Sequence, residues 1–100
     1  MKTLLLTLCL FSCLAQTASA AVYKVAAYAW EPFIDANRDD GGVSMEVVRR
    51  ALETQGHTIE AVSMPWSRSL VMLEKNEVDI LPAVWFTEER TKTMNYSDEL

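Results

Sequence analysis

Residues 23–33 read YKVAAYAWEPF, and the fold turns on how this stretch is taken. Tyr23 to Ala29 is a near-continuous, β-compatible apolar run, closed by Trp30-Glu31-Pro32. A run without alternation suits a strand buried on both faces, as in a parallel sheet. Downstream, Asp35 to Gly42 (DANRDDGG) is polar and turn-rich, a surface loop. From Val43 the period changes. Val43, Val47, Val48, Ala51 and Leu52 fall on one helical face while Glu46, Arg49, Arg50 and Glu53 turn to water. Gly56 stands where a helix C-cap glycine belongs.

The pattern then repeats. His57 to Ser63 (HTIEAVS) predicts a second strand, ended by Met64-Pro65. Trp66 to Asn76 predicts a second helix with Trp66, Leu70 and Leu73 inward. Val78 to Val84 (VDILPAV) predicts a third strand, whose later residues Pro82 confines to an edge or a bend. Thr87-Glu88-Glu89-Arg90 has the form of a helix start, with Thr87 as N-cap and carboxylates in the first turn. Strand, helix, strand, helix, strand is the order of an α/β domain with a parallel β-α-β-α-β core and right-handed crossovers.

In open α/β sheets, ligands sit beyond the carboxyl ends of the strands. Those ends carry Trp30-Glu31-Pro32-Phe33, Met64-Pro65-Trp66 and Ala83 to Thr87. Trp30 and Trp66 therefore converge where a ligand would lie, with Trp85 and Arg90 close by. Taken singly, each tryptophan could be core. Their position after strand ends, beside prolines, favours indole faces that stack on an apolar or cationic ligand. Arg90 could be a solvated charge, but an arginine just past a strand end can grip a carboxylate through two parallel hydrogen bonds. The backbone N–H groups around Thr87 would add donors to the same anion. Arg68 either faces the cleft beside Trp66 or extends from the helix. His57 reads as a strand-start surface residue, Glu31 as a solvated loop carboxylate, and Asp39 and Asp40 as turn residues. Nothing in the chain has calcium-loop spacing, and no metal, cofactor or catalytic residue is expected.

Residues 1–20 have the form of an export signal. Lys2 supplies a positive start, Leu4 to Ala15 an apolar run, and Ala18-Ser19-Ala20 the small residues before a cut at Ala21. Leu10-Phe11-Ser12-Cys13 loosely resembles a lipoprotein box, but Phe11 fits it poorly, and a lipid anchor at Cys13 is not expected. Cys9 and Cys13 are the chain's two cysteines and would leave with the signal, removing disulfide and thiolate chemistry. Loss of Lys2 leaves eight Lys and Arg against fourteen Asp and Glu, a net charge of −6. With no basic cluster, nucleic acid and anionic membrane are excluded as expected partners. The remaining chain is one lobe in size, and residues 21–100 form the second unit of the domain division.

These pieces in this order are similar to the start of the family 3 periplasmic solute-binding proteins, which serve ABC importers of polar amino acids. The similarity runs through Trp30-Glu31-Pro32-Phe33, Gly42, Pro65-Trp66-Ser67-Arg68, Glu77-Val78-Asp79-Ile80, Thr87-Glu88-Glu89-Arg90 and Tyr96-Ser97-Asp98. The resemblance implies two α/β lobes that close on a ligand like a clamp, of which this sequence covers part of the first. It implies that Arg90 binds a ligand carboxylate, that Trp30 and Trp66 contact the ligand, and that a monomer delivers it to a permease in the inner membrane. Pro82, Ala83 and Trp85 stand where amino-acid-binding members often carry serine or threonine, which points to a more apolar or aromatic ligand. A lobe without its returning strand is expected to fold marginally by itself and to bind weakly or not at all. Three alternatives to an importer component stay open: an enzyme on the same scaffold, of the cyclic-acid dehydratase kind; the input domain of a ligand sensor; and a truncated gene product without function.

Overall fold

The computed structural model describes residues 19–99. The expected export signal, with Cys9 and Cys13, lies outside them apart from its last two residues. Strand β1 (Val22–Ala27) pairs in parallel with β2 (Thr58–Ser63), in a register running from Val22 beside Thr58 to Ala27 beside Ser63. Helix α1 (Val43–Glu53) connects them, and α2 (Trp66–Glu74) follows β2. A short 3-10 turn, Glu89–Lys92, replaces the helix expected after Thr87. The mixed α/β architecture with parallel strands is thus present.

Successive residues of a strand point to opposite faces. Val25 and Ala26 are neighbours on β1, and both are fully buried. That is what an unbroken apolar run requires: β1 is covered on both sides. Around it gather Tyr28, Ile34, Met45, Met64 and Val78.

The third strand contracts to a single parallel bridge between Val25 and Ile80. On this side β1 uses its even-numbered residues: the Ala26 N–H donates to Ile80 O at 3.0 Å, and the Ile80 N–H to Lys24 O at 3.2 Å. The next rung would run from residue 82 to the Ala26 carbonyl. Pro82 has no N–H, so the ladder stops. At its other end the segment is pinned by Asp79, whose carboxylate accepts the Lys24 N–H at 2.8 Å.

Helix α1 differs from expectation in its orientation. Met45 is its fully buried residue, with Val48 packed on the core, whereas Val43 and Val47 are 49% and 38% exposed and Ala51 is exposed. The entry to the helix sets this rotation. Val43 and Ser44 donate their N–H groups to Pro32 O and Phe33 O at 3.1 and 2.9 Å, so the first turn is clamped to the loop after β1. Gly42 lies buried in that contact. On the outer face Glu46 pairs with Arg49 and Arg50, and these two guanidinium groups, Arg50 foremost, hold its carboxyl below the ordinary range. The preceding loop is tied by its aspartates: Asp40 meets Arg38 through two bonds of 3.0 Å and accepts the Gly42 N–H at 2.9 Å.

The helix ends as the glycine predicts. Gly56 takes a φ of 78°, its N–H reaches Glu53 O, and the His57 N–H reaches Leu52 O, both at 3.0 Å. This is the double bond of a Schellman cap. In α2 the fully buried residue is Ser69, not Leu70 or Leu73, which are half-buried. Its hydroxyl turns back on the Trp66 carbonyl at 2.5 Å, so the buried polar group is satisfied.

Candidate functional site

Beyond the carboxyl end of β1 the chain makes a tight turn. Trp30 and Ile34 exchange backbone bonds, Trp30 N–H to Ile34 O at 3.0 Å and the reverse at 2.9 Å. Ile34 is buried beneath the turn, which anchors it and leaves the Trp30 ring half-exposed at the surface. The ring meets Phe33 at 5.4 Å and Trp85 at 5.9 Å between centroids. Trp85 is 74% exposed, so the two indoles form an aromatic wall open on one side.

Trp66 opens α2 directly after Pro65. Its ring packs edge-to-face with Tyr28, at 4.9 Å between centroids and 68° between planes. The Arg90 guanidinium lies over the ring, with Cζ 5.3 Å from its centroid. Such stacking uses the flat face of an arginine and leaves its in-plane N–H groups at the edge. Arg90 Nη1 donates to the Trp85 carbonyl at 2.9 Å. Among the described residues its Nη2 and Nε groups have no hydrogen-bond partner. The 3-10 turn has Glu88, not Thr87, at its N-cap, but Thr87 Oγ1 accepts the Arg90 N–H at 3.2 Å, so its hydroxyl proton stays available to a ligand.

The structure therefore joins four of the sequence-derived candidates through side-chain contacts, Trp30 to Trp85 and Arg90 to Trp66, and adds Thr87 through the backbone of Arg90. Arg68 does not enter the group. It is exposed on α2 and forms no ion pair among the described residues. His57 lies at the far end of the sheet, where its Nδ1 accepts the Ala21 N–H at 3.0 Å and its ring packs on Tyr23.

Tyr28 escaped the sequence reading, which placed it only in the strand. It is 3% exposed and donates its hydroxyl to the Ala83 carbonyl. Burial pushes the phenol up to about 12, against the pull of the nearby Arg90 charge. The signal that could have revealed it is its setting: a single large side chain between Ala27 and Ala29 at a strand end.

A shallow depression of about 360 Å³ adjoins Arg90 and is lined by Leu70, Glu74, Thr87, Glu89 and Met94. A larger one, about 450 Å³, lies among Val22, Lys24, Asn76, Glu77 and Asp79. The larger one sits at the amino ends of the parallel strands, away from the end where such sheets hold ligands. Among the described residues no three His, Cys, Asp or Glu side chains gather as a metal site.

An α/β lobe that presents an arginine and an aromatic wall beyond its strand ends has the form of a small-molecule binding surface. Residues 23–100 match the bacterial extracellular solute-binding proteins, family 3, and the chain belongs to that family. No curated protein and no solved structure matches the chain. Among the described residues, no helix is long and apolar enough to cross a membrane.

Proposed function

We propose that the chain is the periplasmic substrate-binding component of an ABC importer for an amino acid or a related small carboxylate, exported by its N-terminal signal and working as a monomer that docks on an inner-membrane permease. The observation that carries this reading is Arg90: stacked on Trp66, with two N–H groups at its edge unspent, beside the Trp30–Trp85 wall. A carboxylate fits that edge in two parallel hydrogen bonds. The wall favours an apolar or aromatic group on the same molecule.

The local carbonyls support the apolar preference. Ala83 O accepts from Tyr28, and Trp85 O accepts from both Arg90 and the Tyr96 hydroxyl at 3.1 Å. These acceptors are occupied within the lobe, and Pro82, Ala83 and Trp85 bring no side-chain hydroxyl. A polar ligand side chain would find few partners here.

The test is quenching or enhancement of tryptophan emission when a two-lobe form carrying this lobe is titrated with L-phenylalanine, L-leucine, L-glutamine and hydrocinnamate. The reading predicts a saturable response strongest for the aromatic and aliphatic carboxylates. A response to none of them, or to the corresponding amides equally well, refutes it.

A further inference from the structure

We infer that Tyr28 is a positioning residue that fixes the Arg90–Trp66 stack from beneath. The inference rests on reading Arg90 and Trp66 as the ligand-holding pair, and its own argument is geometric. Contacts run in a closed circuit. Tyr28 packs edge-to-face with Trp66, Trp66 carries Arg90, Arg90 donates to Trp85 O, and two residues earlier Ala83 O accepts the Tyr28 hydroxyl. Trp66 and Arg90 are half-buried and Trp85 is exposed. Tyr28, at the end of the strand buried on both faces, is the fully enclosed member. The rigid element therefore passes its position outward through two routes. One is the ring, which orients the Trp66 indole. The other is the hydroxyl, which holds the 83–85 backbone where its carbonyl can receive Arg90. An edge-to-face aromatic pair and a donated hydrogen bond each restrict the partner's orientation, and a side chain oriented in advance gives up less freedom when a ligand arrives. With the phenol pushed up to about 12, the hydroxyl stays a donor across the physiological range.

The two routes separate experimentally. Tyr28→Phe removes the hydroxyl and keeps the ring; Tyr28→Leu removes both. The readout is the NMR shift of the Arg90 Hδ and Hε protons in the full chain, which the Trp66 ring current displaces upfield. In Tyr28→Phe the displacement persists, while the Arg90 Nη1–H, which donates to Trp85 O, exchanges faster with solvent because the 83–85 backbone is released. In Tyr28→Leu the displacement collapses to the value of the unfolded chain. Tyr23→Leu serves as control: it removes the comparable Tyr23–His57 edge contact, 5.4 Å between centroids, at the opposite end of β1. It lowers the melting temperature and leaves Arg90 untouched. With L-phenylalanine as probe, Tyr28→Phe weakens binding by up to about 10-fold, the cost of ordering the Arg90 side chain when the ligand arrives.

An Arg90 displacement that survives Tyr28→Leu, or that Tyr23→Leu removes equally, overturns the inference. Should Tyr28→Leu not fold, Tyr28→Phe decides alone: unchanged Nη1–H exchange refutes the hydroxyl route. Because the shift is read without ligand, failure of the wild type to bind L-phenylalanine would count against the proposed function and leave the positioning result standing.

Discussion

Replacing Gly42 by alanine tests how the ligand-side turn is attached to the helix. Gly42 has φ 107° and ψ 166°, a conformation essentially reserved for glycine. Imposing it on alanine costs about 1–3 kcal/mol. Space adds to this: a Cβ would come within 2.7 Å of the Phe33 carbonyl carbon and 2.8 Å of Ile34 Cα, both backbone atoms that cannot swing aside. To make room the 32–34 loop must move off α1, which strains the bonds that Val43 and Ser44 donate to it. At about 1 kcal/mol for each bond, the whole loss is about 3–5 kcal/mol. Gly56→Ala is the matched control, for it too has positive φ, at 78°, but its Cβ would meet nothing within 4 Å. That variant loses only the conformational part, about 1–2 kcal/mol. Urea denaturation followed by far-UV circular dichroism measures both. The difference between them isolates the close approach of the turn that carries Trp30 and Phe33. Equal losses in the two variants would refute the reasoning, since they would mean that the loop does not rest on Gly42.

Two further outcomes follow from the same geometry. Tyr28 rises from 10.0 to about 12 on folding, so its protonated form is the one the fold prefers. The stability it contributes is full below pH 10 and is lost as pH climbs through about 12, in total about 3 kcal/mol. Denaturation midpoints of wild type and Tyr28→Phe between about pH 9 and about pH 12 should diverge accordingly, with the steeper fall in the wild type; parallel curves contradict the burial argument. Pro82→Val restores an N–H opposite the free Ala26 carbonyl, so the bridge at Ile80 should lengthen into a strand. Hydrogen exchange at residue 82 reports this directly, with protection expected and rapid exchange contradicting it.

Much of the lobe was legible in the sequence because its strongest signals are local. The unbroken run of β1 reflects Val25 and Ala26 buried back to back, and Gly56 ends α1 by a cap that depends on a handful of neighbouring residues. The rotation of α1 was not legible. Val43, Val47 and Ala51 make a stripe as apolar as the one centred on Met45, and the choice between them is made by loop 32–34, through backbone bonds eleven residues apart that no helical period reports. The same holds for α2, where a serine rather than a leucine is fully buried. Pro82 signalled a bend, yet that it would end the ladder at one bridge depended on the parity of the β1 hydrogen bonds, which only the register reveals.

In the candidate site, Trp30, Trp66, Trp85 and Arg90 stood out through the rule that loops after strand ends meet ligands. Arg68 satisfied the same pattern of neighbours and differs only in which way its helix turns it. Tyr28 was hidden by its own suitability for a strand: a buried tyrosine in an apolar run looks like core until its hydroxyl partner, 55 residues away in the chain, is known.

The most direct test of the account is calorimetric titration of a carboxylate ligand, L-phenylalanine first, into a two-lobe form carrying the wild-type lobe, Arg90→Ala or Arg68→Ala. Removing the guanidinium leaves a ligand carboxylate without its paired donors, a loss of about 2–5 kcal/mol of binding free energy. The account predicts that Arg90→Ala abolishes measurable binding while Arg68→Ala, at an exposed position on α2, binds as the wild type does. Undiminished affinity in Arg90→Ala would contradict it.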